Sequence, residues 1–136
     1  MNVPRVRFPR TAKLLKHSDF QRVYKTGKRH FSGLMTVFYT PRPDSGSGPR
    51  IGFTVPRALG VAVNRNRIKR RMREAVRHNF AGLQSSVDVV FNPKKQVLEA
   101  DFVQIEQEVK RAFEVIQKAA SRMEATNLTK ERSTAQ

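Results

Sequence analysis

The spacing of apolar residues along the chain predicts three helices. Apolar side chains recur at the three- and four-residue intervals of a helix face in the segments 18–26, 64–80 and 101–120. Ser18 is a suitable N-cap for the first segment, and Gly27 stands where a C-cap would end it. The first segment is therefore expected to form a short helix, and the third a long one.

Three shorter segments have the composition of strands. Residues 34–40, 50–55 and 87–91 are rich in β-branched and aromatic side chains, and turn-forming residues separate the first two. The segment 50–55 also alternates apolar with small or polar residues, which is typical of a strand with one buried face. Helices and strands mixed in this order predict an α+β fold in which a small sheet packs against helices.

The whole of this pattern fits in one domain. A chain of 136 residues has room for one modest core, and we expect it to lie within residues 1–120. Residues 1–12 are expected to form an extended basic arm, because Pro4 and Pro9 disfavour a helix there. Residues 121–136 are polar and lack periodicity, so a flexible tail is expected.

Positive charge is concentrated in the first part of the chain. The formal net charge is +16, with 27 Lys and Arg against 11 Asp and Glu. Residues 1–80 hold 19 of these cations and three of the acids, whereas residues 81–136 hold eight of each. A surface so charged repels itself unless it meets a polyanion, so nucleic acid is the expected partner, with an anionic membrane surface as the other candidate.

The composition also restricts the compartment and the chemistry. No cysteine is present, which excludes disulfides and thiol catalysis, and no apolar run approaches the roughly 18 residues of a membrane span. His17, His30 and His78 show no metal-ligand spacing, and the acids of the basic part do not cluster. We therefore expect a soluble cytoplasmic binding protein without a catalytic centre of its own.

The second predicted helix carries most of the charge. Its stripe of Ile68, Met72, Ala75 and Val76 is expected to face the core, which leaves the cations outside. A second face has four residues at helical spacing, with Lys69 at its border: Asn66, Arg70, Arg73 and Arg77. Arg67 and Arg71 lie on a third face. A solvated face or a transport signal is the alternative, but a solvated face normally interleaves acids and here only Glu74 is available. Guanidinium groups fixed on a helix favour phosphate binding.

Aromatic residues lie among these cations. Phe20 and Tyr24 are one turn apart on the first helix, and Phe38 and Tyr39 are on the strand that follows. Such rings either stack on unpaired bases or attach the helix to the sheet, and the sequence leaves both interpretations open.

The segment AVNRNRIKRRMRE (62–74) resembles the signature helix of the protein subunit of bacterial ribonuclease P. Other landmarks of that family follow in its order: FPRTAKLLKHSDFQRVYKTGK (8–28), RIGFTVPRALGVAVNRNRIKR (50–70) and VDVVFNP (87–93). The resemblance covers roughly residues 8–120.

The resemblance implies a fold and an activity. The fold is a mixed four-stranded sheet with three helices, ribonuclease P protein-like and similar to domain 2 of ribosomal protein S5, with a left-handed crossover between parallel strands. Its fourth strand gives no clear pattern here and is expected within residues 28–33. The activity is removal of the 5′ leader from precursor tRNA by a ribonucleoprotein, whose RNA subunit catalyses the cleavage and holds most of the Mg²⁺. The implied partners are that RNA and precursor tRNA, with neither DNA nor a membrane.

The resemblance also implies site residues. Contacts with RNA are assigned to Arg65, Asn66, Arg67, Lys69, Arg70 and Arg73 of the signature helix, and we add Arg77 from the same face. Arg57 matches one basic position before that helix, but Ala58 replaces a second, which puts a contact there in doubt. The leader is assigned to a cleft lined by Phe20, Tyr24 and Tyr39, with Lys16 beside it. Two alternatives remain: a general RNA-binding or ribosome-associated protein, and an autonomous nuclease.

Overall fold

The computed structural model describes residues 16–44 and 46–134, with side-chain detail as far as residue 122. The helices are α1 (His17–Thr26), α2 (Ala62–Asn79) and α3 (Phe102–Thr134), and the strands are β1 (Lys28–Phe31), β2 (Met35–Pro41), β3 (Arg50–Phe53) and β4 (Val87–Pro93). Short 3-10 segments connect several of them, at Arg57–Leu59, Phe80–Gly82 and Lys95–Leu98. The basic arm expected at residues 1–12 lies outside the described residues.

The strands form one mixed sheet in the order β1-β2-β4-β3. β2 pairs antiparallel with both β1 and β4, whereas β3 and β4 are parallel neighbours. A tight turn cannot join parallel neighbours, so the chain crosses over between them through α2. The expected α+β class, with a mixed four-stranded sheet and three helices, is confirmed, and the fourth strand lies within residues 28–33 as expected. The left hand of the crossover stays a prediction.

The ends of α1 differ in one respect from expectation. The helix begins at His17, and Lys16 precedes it without a side-chain cap, so the expectation that Ser18 is the N-cap is wrong. Gly27 is confirmed as the C-cap. Its N–H donates to the Val23 carbonyl oxygen at 2.8 Å, and a Cβ on residue 27 would overlap that oxygen, so the close approach requires glycine.

The last helix is longer than the sequence predicted. α3 continues to Thr134, so residues 121–134 are helical, beyond the boundary near residue 120 that the apolar spacing predicted. The flexibility expected of this tail stays a prediction. The apolar spacing ends near Ala120, which suggested the earlier boundary. Residues 121–134 contain several strong helix formers and neither glycine nor proline. The backbone therefore continues as a helix although the apolar periodicity has ended.

The main apolar core lies between the sheet and the helices α2 and α3. The stripe predicted on α2 is confirmed, because Ile68, Met72, Ala75 and Val76 are all fully buried. Alternate residues of two strands and one face of α3 complete this core: Met35, Val37, Tyr39, Val87, Val89, Phe91, Ile105, Val109, Ala112, Phe113 and Ile116. Burial of this stripe fixes which sides of α2 face outward.

Helix α1 packs on the opposite face of the sheet. Val23 of α1 and Val90 of β4 are fully buried there, and three aromatic rings pack against them while remaining half-buried. Those rings belong to Phe20, Tyr24 and Phe38. The sheet therefore separates a large apolar core from a small, partly open aromatic cluster.

Candidate nucleic-acid interface

The outward faces of α2 present a dense group of cations. Asn66, Arg67, Arg70 and Arg73 are exposed, and Lys69 is half-buried between them. Four of these residues line a depression on the helix surface together with Glu74: Asn66, Lys69, Arg70 and Arg73. The docked stripe holds the backbone in place, so these side chains project from a rigid support that suits contacts with phosphate groups.

Three more predicted RNA contacts lie near this group. Arg65 is half-buried in the first turn of α2, and Arg57 is exposed on the 3-10 segment that leads into the helix. Ala58 follows Arg57 on the same exposed segment. Arg77, at the other end of the helix, is half-buried and differs from the rest because a carboxylate already neutralises it.

The partner of Arg77 is Glu74, one turn earlier on α2. The Arg77 guanidinium donates to Glu74 Oε1, and His78 Nε2 lies 3.1 Å from the same oxygen. His78 Nδ1 in turn contacts Glu106 of α3. Arg77 thus belongs to a group of charges that joins α2 to α3, and its charge is less available to RNA than that of Arg70 or Arg73.

Arg71 has a role that its place in the basic run does not reveal. Its guanidinium donates to the carbonyl oxygens of Val97 (2.6 Å) and Leu98 (3.0 Å), and also to that of Ala100. These carbonyls belong to the 3-10 segment and the turn that lead into α3. Arg71 therefore connects α2 to the start of α3, and the expectation that it lies on an outward cationic face is wrong.

The aromatic cluster on the α1 face forms the second candidate surface. The Tyr24 and Phe38 rings meet edge to face with centroids 4.9 Å apart, and the Arg29 guanidinium lies 5.4 Å from the Phe38 centroid. The Tyr24 hydroxyl is within hydrogen-bond distance of Thr54 Oγ1 (2.6 Å) and Asn92 Oδ1 (2.9 Å). These contacts fix the Tyr24 ring while it and Phe20 remain partly open to solvent.

Lys16 lies at the start of this surface. It is exposed at the position before α1, and its carbonyl oxygen accepts from the Phe20 N–H at 3.4 Å. The structure thus places Phe20 and Tyr24 one turn apart on α1, as expected from the sequence, with Lys16 directly before the helix.

Tyr39 does not join them, and its predicted place in the cleft is wrong. Successive side chains of a strand point to opposite faces, so Phe38 faces α1 while Tyr39 shares the core face with Met35 and Val37. Only 6% of Tyr39 is exposed, and burial raises the pKa of its phenol. The alternation of residues 35–39 was the signal in the sequence that could have assigned the cleft position to Phe38 instead.

A buried ionic network beside the aromatic cluster was not foreseen. Asp88 of β4 is fully buried. Arg50 donates two hydrogen bonds to its carboxylate, from Nε at 2.7 Å and from a terminal nitrogen at 2.8 Å. Arg22 of α1 donates to the same carboxylate, and Asp19 lies 3.4 Å from Arg22. The paired carboxylate raises the pKa of Arg50. This network fastens α1 to the sheet.

Among the described residues, no group of three or more His, Asp or Glu side chains is placed to hold a metal ion. None of the helices in the same ranges combines the length and apolarity needed to cross a membrane.

A small α+β domain with a cationic helix on one side and half-open aromatic rings on the other is a nucleic-acid-binding protein in its architecture and charge. Residues 8–117 match the family model described as Ribonuclease P. The chain belongs to the ribonuclease P protein family.

Relatives and solved structures agree with this assignment. The ribonuclease P protein component of Finegoldia magna is 38% identical over 98 residues, which cover 71% of this chain and 83% of the relative. That of Citrifermentans bemidjiense is 37% identical over 106 residues, covering 78% and 89%. The RNase P protein of Thermotoga maritima has a TM-score of 0.66 at 26% identity, covering 74% of this chain and 94% of that one. The Staphylococcus aureus protein reaches 0.67 at 24% identity and supports the fold, covering 78% and 95%.

Proposed function

We propose that this chain binds the catalytic RNA of ribonuclease P through α2 and the 5′ leader of precursor tRNA through the α1 face, and so supports 5′ maturation of tRNA in the cytoplasm. The observation that carries this proposal is the presence of two distinct surfaces on one rigid domain. One is built from cations and the other from half-open rings, and they lie on elements that pack against opposite faces of the sheet.

The cationic surface suits a structured, double-stranded or folded RNA. Arg67, Arg70 and Arg73 are exposed and have no carboxylate partner among the described ion pairs. Guanidinium groups present several donors in a fixed plane, so they bind phosphate oxygens through paired hydrogen bonds. We expect each such contact to release counterions and to make binding depend on salt concentration.

The aromatic surface suits a single strand. Phe20, Tyr24 and Phe38 are half-buried, so each ring is held in place yet retains an accessible part. Stacking on a ring tolerates any base, because every base has a π-face. This property fits a substrate whose leaders differ in sequence, and Lys16 and Arg29 offer nearby charge to the backbone.

We further propose that the RNA subunit performs the chemistry and holds most of the Mg²⁺. The carboxylates beside the two surfaces are already engaged: Asp88 and Asp19 with Arg22 and Arg50, and Glu74 with Arg77 and His78. A carboxylate that is neutralised by a guanidinium is a poor ligand for a divalent cation. The protein is thus assigned the tasks of binding and orientation.

Reconstitution tests this proposal. Protein purified free of RNA is expected to leave precursor tRNA intact, and addition of the catalytic RNA at near-physiological Mg²⁺ should restore cleavage at the leader junction. Turnover by the RNA-free protein would contradict the assignment and favour an autonomous nuclease. Copurification separates the remaining alternative, because a single structured RNA in stoichiometric amount supports the proposal, whereas ribosomal RNA would favour a general RNA-binding protein.

A further inference from the structure

Phe31 is an exposed aromatic residue on the edge of the sheet. It ends β1, an outermost strand of the sheet, and 68% of its surface is accessible. The register pairs Phe31 with Thr36 and Arg29 with Phe38. Paired residues of antiparallel strands project to the same side, so Phe31 and Arg29 lie on the face of the sheet that carries α1.

The ring of Phe31 continues the line of the aromatic cluster. Tyr24 contacts Phe38 edge to face, and the Arg29 guanidinium lies over the Phe38 ring at 5.4 Å from its centroid. Phe31 stands two residues beyond Arg29, about 7 Å further along the same side of the strand. Four side chains therefore follow one another from the aromatic cluster at α1 to the edge of the sheet: Tyr24, Phe38, Arg29 and Phe31.

The surroundings of Phe31 are cationic. Arg29 is exposed, and Lys94 Nζ donates to the carbonyl oxygen of Ser32, the residue after Phe31, at 3.3 Å. Between Asp19 and Asp44 the sequence has no acidic residue at all. A negatively charged strand that leaves the α1 face along β1 therefore meets these cations. The carboxylate of Glu108, which bonds to the Leu34 N–H at 2.7 Å, belongs to α3 and so to the helix layer on the other face of the sheet.

We infer that Phe31 and Arg29 form a second stacking platform, which binds leader nucleotides upstream of those held by Phe20 and Tyr24. This inference rests on the proposed function of the α1 face. A single exposed ring among cations is too small for a stable protein interface, which buries on the order of 1,000 Å² or more, but it is sufficient to stack one base. Single-stranded RNA is therefore the occupant that the chemistry favours.

The inference is tested with the reconstituted holoenzyme and two precursor tRNAs. One carries a leader that reaches β1, and the other a leader truncated so that it ends beneath α1. Phe31→Ala should weaken binding of the long-leader precursor about 5- to 10-fold, the lower part of the range for one base stacked on one ring. Phe31→Leu, which stays apolar but lacks a ring, should lose as much, and Phe31→Trp should retain full affinity. The short-leader precursor and mature tRNA should bind all of these proteins equally.

Several results would overturn it. Unchanged affinity of Phe31→Ala for the long leader, or equal losses for long and short leaders, would show that Phe31 stacks on no leader base. Retention by Phe31→Leu would show a merely apolar contact, and a change in self-association measured by sedimentation would show that the ring joins copies of this chain. Phe20→Ala, measured in parallel, separates the two levels: if it weakens both precursors while Phe31→Ala does not, the cleft stands and only the extension is wrong.

Discussion

The two faces of the sheet are held by different interactions. The face toward α2 and α3 is covered by a large set of fully buried aliphatic and aromatic side chains, including Met72 and Phe91. The face toward α1 has two fully buried apolar residues, Val23 and Val90, and depends otherwise on hydrogen bonds and ion pairs around Asp88 and Tyr24. The first arrangement maximises apolar burial, while the second fixes α1 in place and leaves its rings half-open.

This difference explains how one small domain can present the two surfaces to which RNA binding is assigned. The large core anchors α2 so firmly that its outward cations need no structural partners. On the other face, directional polar contacts set the position of α1, so the aromatic rings need not be fully buried to hold it. The surface assigned to the leader therefore comes from the face that contributes the smaller share of apolar burial.

The largest expected effect comes from the α2 side of the core. Met72 is fully buried, so Met72→Ala should lower the free energy of unfolding by about 2–5 kcal/mol, from lost burial and the cavity that remains. Urea denaturation followed by circular dichroism measures this loss. Arg73→Ala, the adjacent exposed residue, is the control and should change stability by no more than about 0.5 kcal/mol. Similar losses for both variants would contradict the proposed orientation of α2.

The next effect tests the polar attachment of α1. Asp88→Asn preserves shape but leaves two guanidinium groups without their shared carboxylate, and we expect a loss of about 3 kcal/mol in the free energy of unfolding. This value is the low end for a broken buried pair, because Arg22 and Arg50 both reach water. Asp19→Asn provides the control, since its longer contacts with the same arginines at 3.4 and 3.8 Å predict a smaller loss. Equal losses would show that burial of Asp88 is not what matters.

A third comparison separates two adjacent arginines of α2. Arg71→Ala removes a charged donor from three carbonyl groups and should cost about 1.5–3 kcal/mol of stability. Arg70→Ala should leave stability unchanged but weaken binding of the catalytic RNA, and it should flatten the slope of log K against log salt by roughly 0.7–0.9. Calorimetry and filter binding on both variants provide the data. The assignment fails if Arg71→Ala flattens the slope as much as Arg70→Ala does.

The smallest effect concerns Tyr39, whose folded-state pKa is raised by burial. A phenol with a raised pKa stays neutral in the folded protein, so its contribution to stability is intact below the unfolded value of about 10 and is lost as the pH rises beyond it. Tyr39→Phe cannot ionise, so its stability should fall less steeply than that of the wild type above this pH. Its affinity for precursor tRNA should equal that of the wild type. A loss of that affinity without a loss for mature tRNA would show that Tyr39 contacts the leader.

Local pattern in the sequence predicted what depends on local geometry. Helical periodicity identified the buried stripe of α2, and the glycine after α1 identified its C-cap. The partners of Asp88 lie 66 and 38 residues away along the chain, at Arg22 and Arg50, so only the folded topology brings them together.

Other features were hidden for different physical reasons. Arg71 bonds to backbone carbonyls, which every residue possesses, so no side chain marks its partners in the sequence. The alternation of β2 groups Tyr39 with Met35 and Val37 and separates it from Phe38. Only the fold, however, shows that α1 packs on the side of Phe38. The resemblance to a family supplied candidate residues, but the structure decided which of them share a surface.

The assignment of the leader to the α1 face is tested most directly by one pair of affinities on one variant. Phe20→Ala in the reconstituted holoenzyme should weaken binding of precursor tRNA by about 10- to 100-fold, from the loss of base stacking. Mature tRNA, which has no leader, should bind the variant and the wild type equally, and the melting temperature of the protein serves as the control for folding. Equal losses for precursor and mature tRNA, together with a lower melting temperature, would show that Phe20 only attaches α1 to the sheet and would contradict the assignment.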